Sequence, residues 1–212
     1  MNLNREAQIH FIVAFIGGFL GLFPIVNVTH FLGSAQTTNL IDIVLGLLSG
    51  EGHSVLFHVF GAFLYGLAVF LVTFLPKHTK ANVKILAMIV DVTAAFAMWL
   101  FPVSRDLPLT VYLYPTFFAM AFQWCAFKGA YGFTSSTIFS SNNFRQLISS
   151  LTEIFFNGDR SYSLKAKFFG VTLFCFHFGL TLSWFFWRFF GNAGFLFVIL
   201  PCAVVVWVLS RD

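Results

Sequence analysis

The sequence predicts an all-α integral membrane protein: six long transmembrane helices plus two short half-helices, arranged as an internal two-fold (3+3) inverted repeat. Composition is the first ground. Hydrophobic residues make up 58% of the 212-residue chain and charged residues 9%, with a mean hydropathy of +0.86, well outside the range of a soluble globular domain. The second ground is a pair of short apolar segments with polar heads. Ser34-Ala35-Gln36-Thr37-Thr38-Asn39 runs into 40–49, and Ser140-Ser141-Asn142-Asn143 runs into 144–156. Each is too short to cross ~30 Å of hydrocarbon comfortably. Asn39 and Asn143 lie 104 residues apart, and interrupted segments at matching positions of two halves are the best sequence pointer to a transporter's substrate site. The third ground is where the basic residues fall.

Long spans are expected at 9–29, 54–75, 84–103, 110–128, 166–188 and 193–210. Each is near the ~20 residues a crossing needs, with apolar residues on all faces as helices facing lipid require. The first follows Arg5 in the manner of a signal peptide. It has no small-x-small cleavage site and continues through Gly17-Gly18-Phe19-Leu20-Gly21, so it is expected to be retained. The segments at 36–49 and 142–156 decide the topology. If both cross, eight spans leave six Lys/Arg inside and five outside, which is no bias. If both are re-entrant or lie at the surface, Arg5, Lys77, Lys80, Lys84, Lys128, Arg160, Lys165, Lys167 and Arg211 fall inside, against Arg105 and Arg188 outside. Nine against two is what the positive-inside rule expects. The reading is therefore six spans with both termini cytoplasmic.

Three spans per half insert the second half in the opposite direction, so 1–108 and 109–212 read as two repeats of one compact membrane domain. At an offset of 104, Asn39 meets Asn143, Leu47 meets Leu151 and Gly66 meets Gly170. With 32 Phe in the chain, so few identities carry little weight, and the repeat rests on the order long, short, long, long, occurring twice.

The chemistry-bearing residues are few. An interrupted helix in hydrocarbon implies a buried polar or water-filled cavity, and its free N–H groups favour an anion or a polar ligand oxygen. Gln36, Thr37, Thr38 and Asn39, with Ser141, Asn142 and Asn143, are the candidate ligand-binding residues. Helix capping is their plainer role, by Thr38 or Asn39 with help from Asp42, and by Ser141 or Asn142. Gln123, in the span before the second polar segment, places an amide where it can face the same cavity.

Asp91 lies seven residues beyond Lys84, roughly 10 Å deep at 1.5 Å rise per residue. A carboxyl there is a functional candidate by default. It could couple transport to an ion, pair with a basic residue such as Arg145, or reach water through a vestibule. Arg145 and Glu153 are eight residues apart on one helix face, which would also suit a helix lying in the interface. His177, among aromatics in mid-span, is either a proton relay or a neutral packing residue. His30 and His58 are expected near the outer interface.

The three cysteines, Cys125, Cys175 and Cys202, all lie in spans at unpaired spacing, so neither a disulfide framework nor a zinc site is expected.

The run Ala14-Phe15-Ile16-Gly17-Gly18-Phe19-Leu20, followed by Ser34-Ala35-Gln36-Thr37-Thr38-Asn39-Leu40, resembles the YoaK-like family of bacterial multi-pass membrane proteins. Members typically carry Gly-Phe-(Leu/Val)-Asp in the first helix and then Ala-Gln-Thr-Gly-Asn. Ala119-Met120-Ala121-Phe122-Gln123 and Ser141-Asn142-Asn143-Phe144-Arg145 are similar to its second half, the latter to Thr-Gly-Asn-Leu-Arg. Gly21 stands where the family usually has Asp, and Thr38 and Asn142 replace the glycines before the motif asparagines. The resemblance implies architecture and a bacterial cytoplasmic-membrane setting, and the family has no firmly assigned substrate.

The functional expectation is a small-solute transporter with a midplane site between the two half-helices. Its alternative is a non-transporting membrane scaffold, sensor or assembly protein. An enzyme is not expected, since no His-Glu-x-x-His, Gly-x-Ser-x-Gly or phosphate loop occurs. No cofactor or metal is expected. Expected partners are the lipid bilayer and a small polar or anionic solute, with homo-oligomer formation left open. Nucleic acid is not expected, because the net charge of +4 is accounted for by loop Lys and Arg, which attract anionic lipid headgroups.

Overall fold

The computed structural model describes residues 4–28, 36–100 and 109–211. His30, Ser34, Ala35 and Arg105, on which some sequence expectations fall, lie outside them. Among the described residues the chain is helical apart from one two-residue-stranded hairpin. Its helices are α1 (Arg5–Asn27), α2 (Gln36–Ser49), α3 (Gly52–His78), α4 (Val83–Leu100), α5 (Tyr114–Ala126), α6 (Ser141–Phe155), α7 (Ser163–Phe190) and α8 (Ile199–Leu209). A 3-10 turn at Leu109–Leu113 leads into α5, and another at Gly191–Val198 joins α7 to α8.

Local chemistry sets several boundaries. The Asn4 side chain accepts from the Ala7 N–H at 2.9 Å and Glu6 lies in the first turn, so α1 starts on a cap with a favourable charge. Asn82 does the same for α4, its Oδ1 accepting from the Lys84 N–H at 3.0 Å. Pro115 opens α5, where a missing N–H is harmless. The strands β1 (Gly129–Ala130) and β2 (Phe133–Thr134) are joined by Tyr131 and Gly132, both at positive φ, as a two-residue hairpin turn requires.

Among the described residues, four helical stretches are long and apolar enough to cross a membrane: Arg5–Asn27, Gly52–His78, Val83–Leu100 and Arg160–Leu209, the last containing α7 and α8. Large apolar side chains on the outside, such as Leu48 at 80% and Phe189 at 77% exposed, fit a lipid surround rather than water. The expected span at 110–128 is shorter in the structure. Its α-helix covers only Tyr114–Ala126, because the chain before Pro115 tightens into the 3-10 turn and Phe127 leaves the helix for the hairpin.

α1 is the central helix, with Val13, Ala14, Ile16 and Leu20 wholly buried. α7 runs parallel to it, pairing Phe11 with Phe168, Phe15 with Phe178 and Phe19 with Phe186 at ring separations of 5.8, 6.0 and 6.0 Å. The two backbones touch: a Cβ at Gly18 would collide with the Phe176 carbonyl, and one at Gly179 with the Phe15 carbonyl. α5 runs antiparallel to α1, level with it at Gln123 and Val13. α3 and α5 pack in parallel, Phe57 and Phe60 meeting Tyr114 while Gly61 meets Phe117. α2 folds back on the start of α3, α6 packs on α7, and α8 lies against α4 and α1.

Candidate functional site

The chain leading into α6 shapes the first polar cluster. After the hairpin, 135–140 runs against α1 and α5. The Thr137 carbonyl occupies the space beside Gly17, where a Cβ would collide with it, so Gly17 is required for that approach. Gln123 joins three segments by donating from Nε2 to the Val13 carbonyl at 3.1 Å and to Thr137 Oγ1 at 2.9 Å. Asn143, 1% exposed, turns back onto the same loop. Its Nδ2 donates to the carbonyls of Ser136 at 2.7 Å and Phe139 at 3.2 Å, and its Oδ1 accepts from Ser135 Oγ at 3.0 Å and from the Ser136 N–H. Ser135 Oγ in turn lies 3.0 Å from Nε2 of His10, a buried histidine of α1.

The second cluster surrounds Asn39, which is wholly buried. Its Nδ2 donates to the His58 carbonyl at 2.9 Å, and its Oδ1 accepts from His58 Nδ1–H at 2.9 Å. That fixes the tautomer and turns Nε2 of His58 toward Asp42, 4.0 Å away. Each of α2 and α6 thus carries one buried asparagine in its first turn, and each asparagine leads to a buried histidine. The partners differ: those of Asn39 lie on α3, those of Asn143 on the loop and α1.

The remaining candidates separate from these clusters. α2 begins at Gln36, so Thr38 and Asn39 are inside its first turn and Asn39 binds α3 instead of capping. Thr37 is exposed, Thr38 half-buried, and Gln36 has its Oε1 buried without a partner. Ser141 is exposed, and Asn142 accepts from Arg145 at 3.0 Å. Arg145 is itself exposed and so is not the buried partner of Asp91. Asp91 is wholly buried, and neither carboxyl oxygen has a hydrogen-bond partner. His177 is exposed, its Nδ1–H donating to the Leu173 carbonyl at 2.8 Å. His58, expected at the outer interface, is buried. Sequence reasoning missed His10, Ser135 and Thr137. The polar run Thr134-Ser135-Ser136-Thr137, immediately upstream of the segment singled out, was the available signal.

Two cavities lie along the seam of α1, α4 and α5. One, of about 190 Å³, is lined by Glu6, Ile9, His10, Lys84, Phe127 and Lys128. The other, of about 290 Å³, is apolar and lined by Phe23, Met98, Tyr112 and Tyr114 among others. Asp91 stands midway on α4 between Lys84 and Met98, seven residues or roughly 10 Å from each. No cluster of His, Cys, Asp or Glu among the described residues could hold a metal ion.

Residues 9–208 match the family DUF1275, described as a protein of unknown function. The chain belongs to this family. The match covers every helix of the DUF1275 chain but the first turn of α1 and the last residue of α8, and so includes both asparagine clusters and the α1–α4–α5 seam. No curated protein and no solved structure matches it.

Proposed function

We propose that this DUF1275 protein is a small-solute transporter, in the bacterial cytoplasmic membrane that its resemblance to YoaK-like proteins implies. The observation that carries this reading is a set of buried polar atoms without protein partners: Gln36 Oε1, Gln123 Oε1 and both oxygens of Asp91. In hydrocarbon each such atom costs several kcal/mol unless water or a solute reaches it, so they argue for a wetted passage.

In this reading α1, α3, α4, α5, α7 and α8 cross, α2 and α6 are re-entrant, and both termini are cytoplasmic. The pairing of elements supports two inverted halves. α2 packs on α3 as α6 packs on α7, α3 lies parallel to α5 as α7 lies parallel to α1, and α1 and α5 are antiparallel at the centre. The solute is small and polar or anionic. Gln36 and Gln123 keep an open acceptor for it, and Thr37 and Ser141 are exposed. Asn39 and Asn143 spend their amides holding α2 and α6 in place, and Asp91 is the carboxyl that couples movement to a proton.

Proteoliposomes carrying a pH-sensitive dye, screened against small polar and anionic solutes, test this. At least one solute is expected to acidify vesicles containing the wild-type chain and to leave those containing Asp91→Asn unchanged. Responses equal to protein-free vesicles for every solute would remove the transport reading.

A scaffold role is the second reading. The closely packed α1–α7 contact supports it, as does an apolar groove of about 500 Å³ between α4 and α8, lined by Met88, Val92, Phe96, Cys202 and Trp207, that suits a partner helix. Isolation of a stable complex that is lost on Val92→Trp would favour it.

A further inference from the structure

We infer that the cavity between the ends of α1, α4 and α5 is a binding site for a small oxyanion that carries its own hydrogen-bond donor, of the phosphate class. The cavity holds about 190 Å³, room for roughly six waters at ~30 Å³ each or for one small solute. Its wall carries two ammonium groups, Lys84 and Lys128, against one carboxylate, Glu6. That balance favours an anion. Lys84 is half-buried and Lys128 exposed, so the site is open to solvent on one side and closed by His10, 1% exposed, on the other.

His10 is a fixed part of the closed wall, its ring held by the loop before α6. Both donors of Asn143 Nδ2 are committed to carbonyls, so its Oδ1 is an acceptor and Ser135 Oγ donates to it. Ser135 can then only accept from His10, which places the imidazole proton on Nε2. Nδ1 is left as a buried acceptor without a partner. The Glu6 carboxylate gives the cavity an acceptor beside the two lysines. Hydrogen phosphate satisfies both, because it presents anionic oxygens to the lysines and an O–H to Glu6. Sulfate, fully deprotonated at neutral pH, presents no O–H and meets Glu6 as a repulsive neighbour. The same chemistry is available from free phosphate and from the phosphate and hydroxyls of a glycerol-bearing lipid headgroup. This inference concerns binding alone and does not rest on the transport reading.

The test is isothermal titration of the full chain in neutral detergent with inorganic phosphate at neutral pH and constant ionic strength. Saturable binding is expected, with sulfate bound more weakly. Lys128→Gln and Lys84→Gln are each expected to weaken phosphate binding about tenfold, the loss of one charged hydrogen bond, while Lys84→Arg retains it. Glu6→Gln is expected to narrow the preference for phosphate over sulfate, an outcome that a merely structural role for Glu6 would not produce. Repeating the titration in nanodiscs separates the sources. Phosphate binding retained in phosphatidylcholine and lost in phosphatidylglycerol identifies the lipid headgroup as occupant, and binding retained in both identifies the free ion. No saturable phosphate binding, wild-type affinity in both lysine variants, or equal binding of phosphate and sulfate would overturn the proposal.

Discussion

Asn143 illustrates why a single buried amide can decide a local path. Four hydrogen bonds from one side chain satisfy the Ser136 and Phe139 carbonyls, the Ser136 N–H and the Ser135 hydroxyl, all in a loop with no ladder of its own. Asn143→Ala leaves several of these unsatisfied at once, so a loss of about 3 kcal/mol is expected by reversible unfolding in detergent. Unchanged stability would show that water replaces the amide there. Asp159 is the contrasting surface case. Hydrogen bonds from Ser161 hold its carboxyl below its ordinary value. The stabilisation it brings is present above the unfolded carboxylate value of about 3.9 and is lost as pH falls through the lower folded value. The unfolding midpoint of Asp159→Asn is therefore expected to fall short of wild type at neutral pH and to converge with it in acid.

At the scale of elements, the parallel contact of α1 with α7 depends on two glycines that reciprocally admit the other helix's carbonyls. In lipid, where apolar burial between helices gains little, such close backbone approach supplies much of the association energy. Gly18→Ala is expected to lower stability by about 2 kcal/mol, the usual range for overpacking a tight contact, and Gly179→Ala to do the same. Gly66→Ala, where nothing lies within 4 Å of the added methyl, is the control expected to change little. Equal effects at all three positions, read from thermal unfolding, would show that helix propensity rather than contact is being measured.

For the whole molecule, the directions of the helices carry a topological expectation. α1 and α7 run together and α8 returns, which brings the two termini to the same end as the Lys84–Lys128 cavity. Single cysteines at Lys80, Lys128 and Arg160 are expected to be shielded from a membrane-impermeant thiol reagent in intact cells, and one at Arg188 to be labelled, in a background where the native cysteines are replaced. Labelling of Lys80→Cys and Arg188→Cys alike would reject the six-span reading.

Composition and the apolar runs were enough to read an all-helical chain with helices apolar enough to cross a membrane, and to delimit its two short helices. The segments 36–49 and 142–156 fall within a residue of α2 and α6, because polar heads and apolar runs are local signals. The Gln123 environment, the burial of His58 and the part played by His10 were not legible. Each depends on which residue faces it across more than ten positions of chain, as Gln123 faces Val13 and Thr137. Pairing Asp91 with Arg145 failed for the same reason: charge says that two residues could attract, but only packing decides whether they meet. The sequence by itself determined the solvent in which this protein folds, since hydropathy adds residue by residue. The tertiary structure alone decided that Asn39 holds His58 and its carbonyl while Asn143 holds the loop before α6, and that acidic and basic residues far apart in the chain line one cavity, because those are contacts between segments that no local pattern encodes.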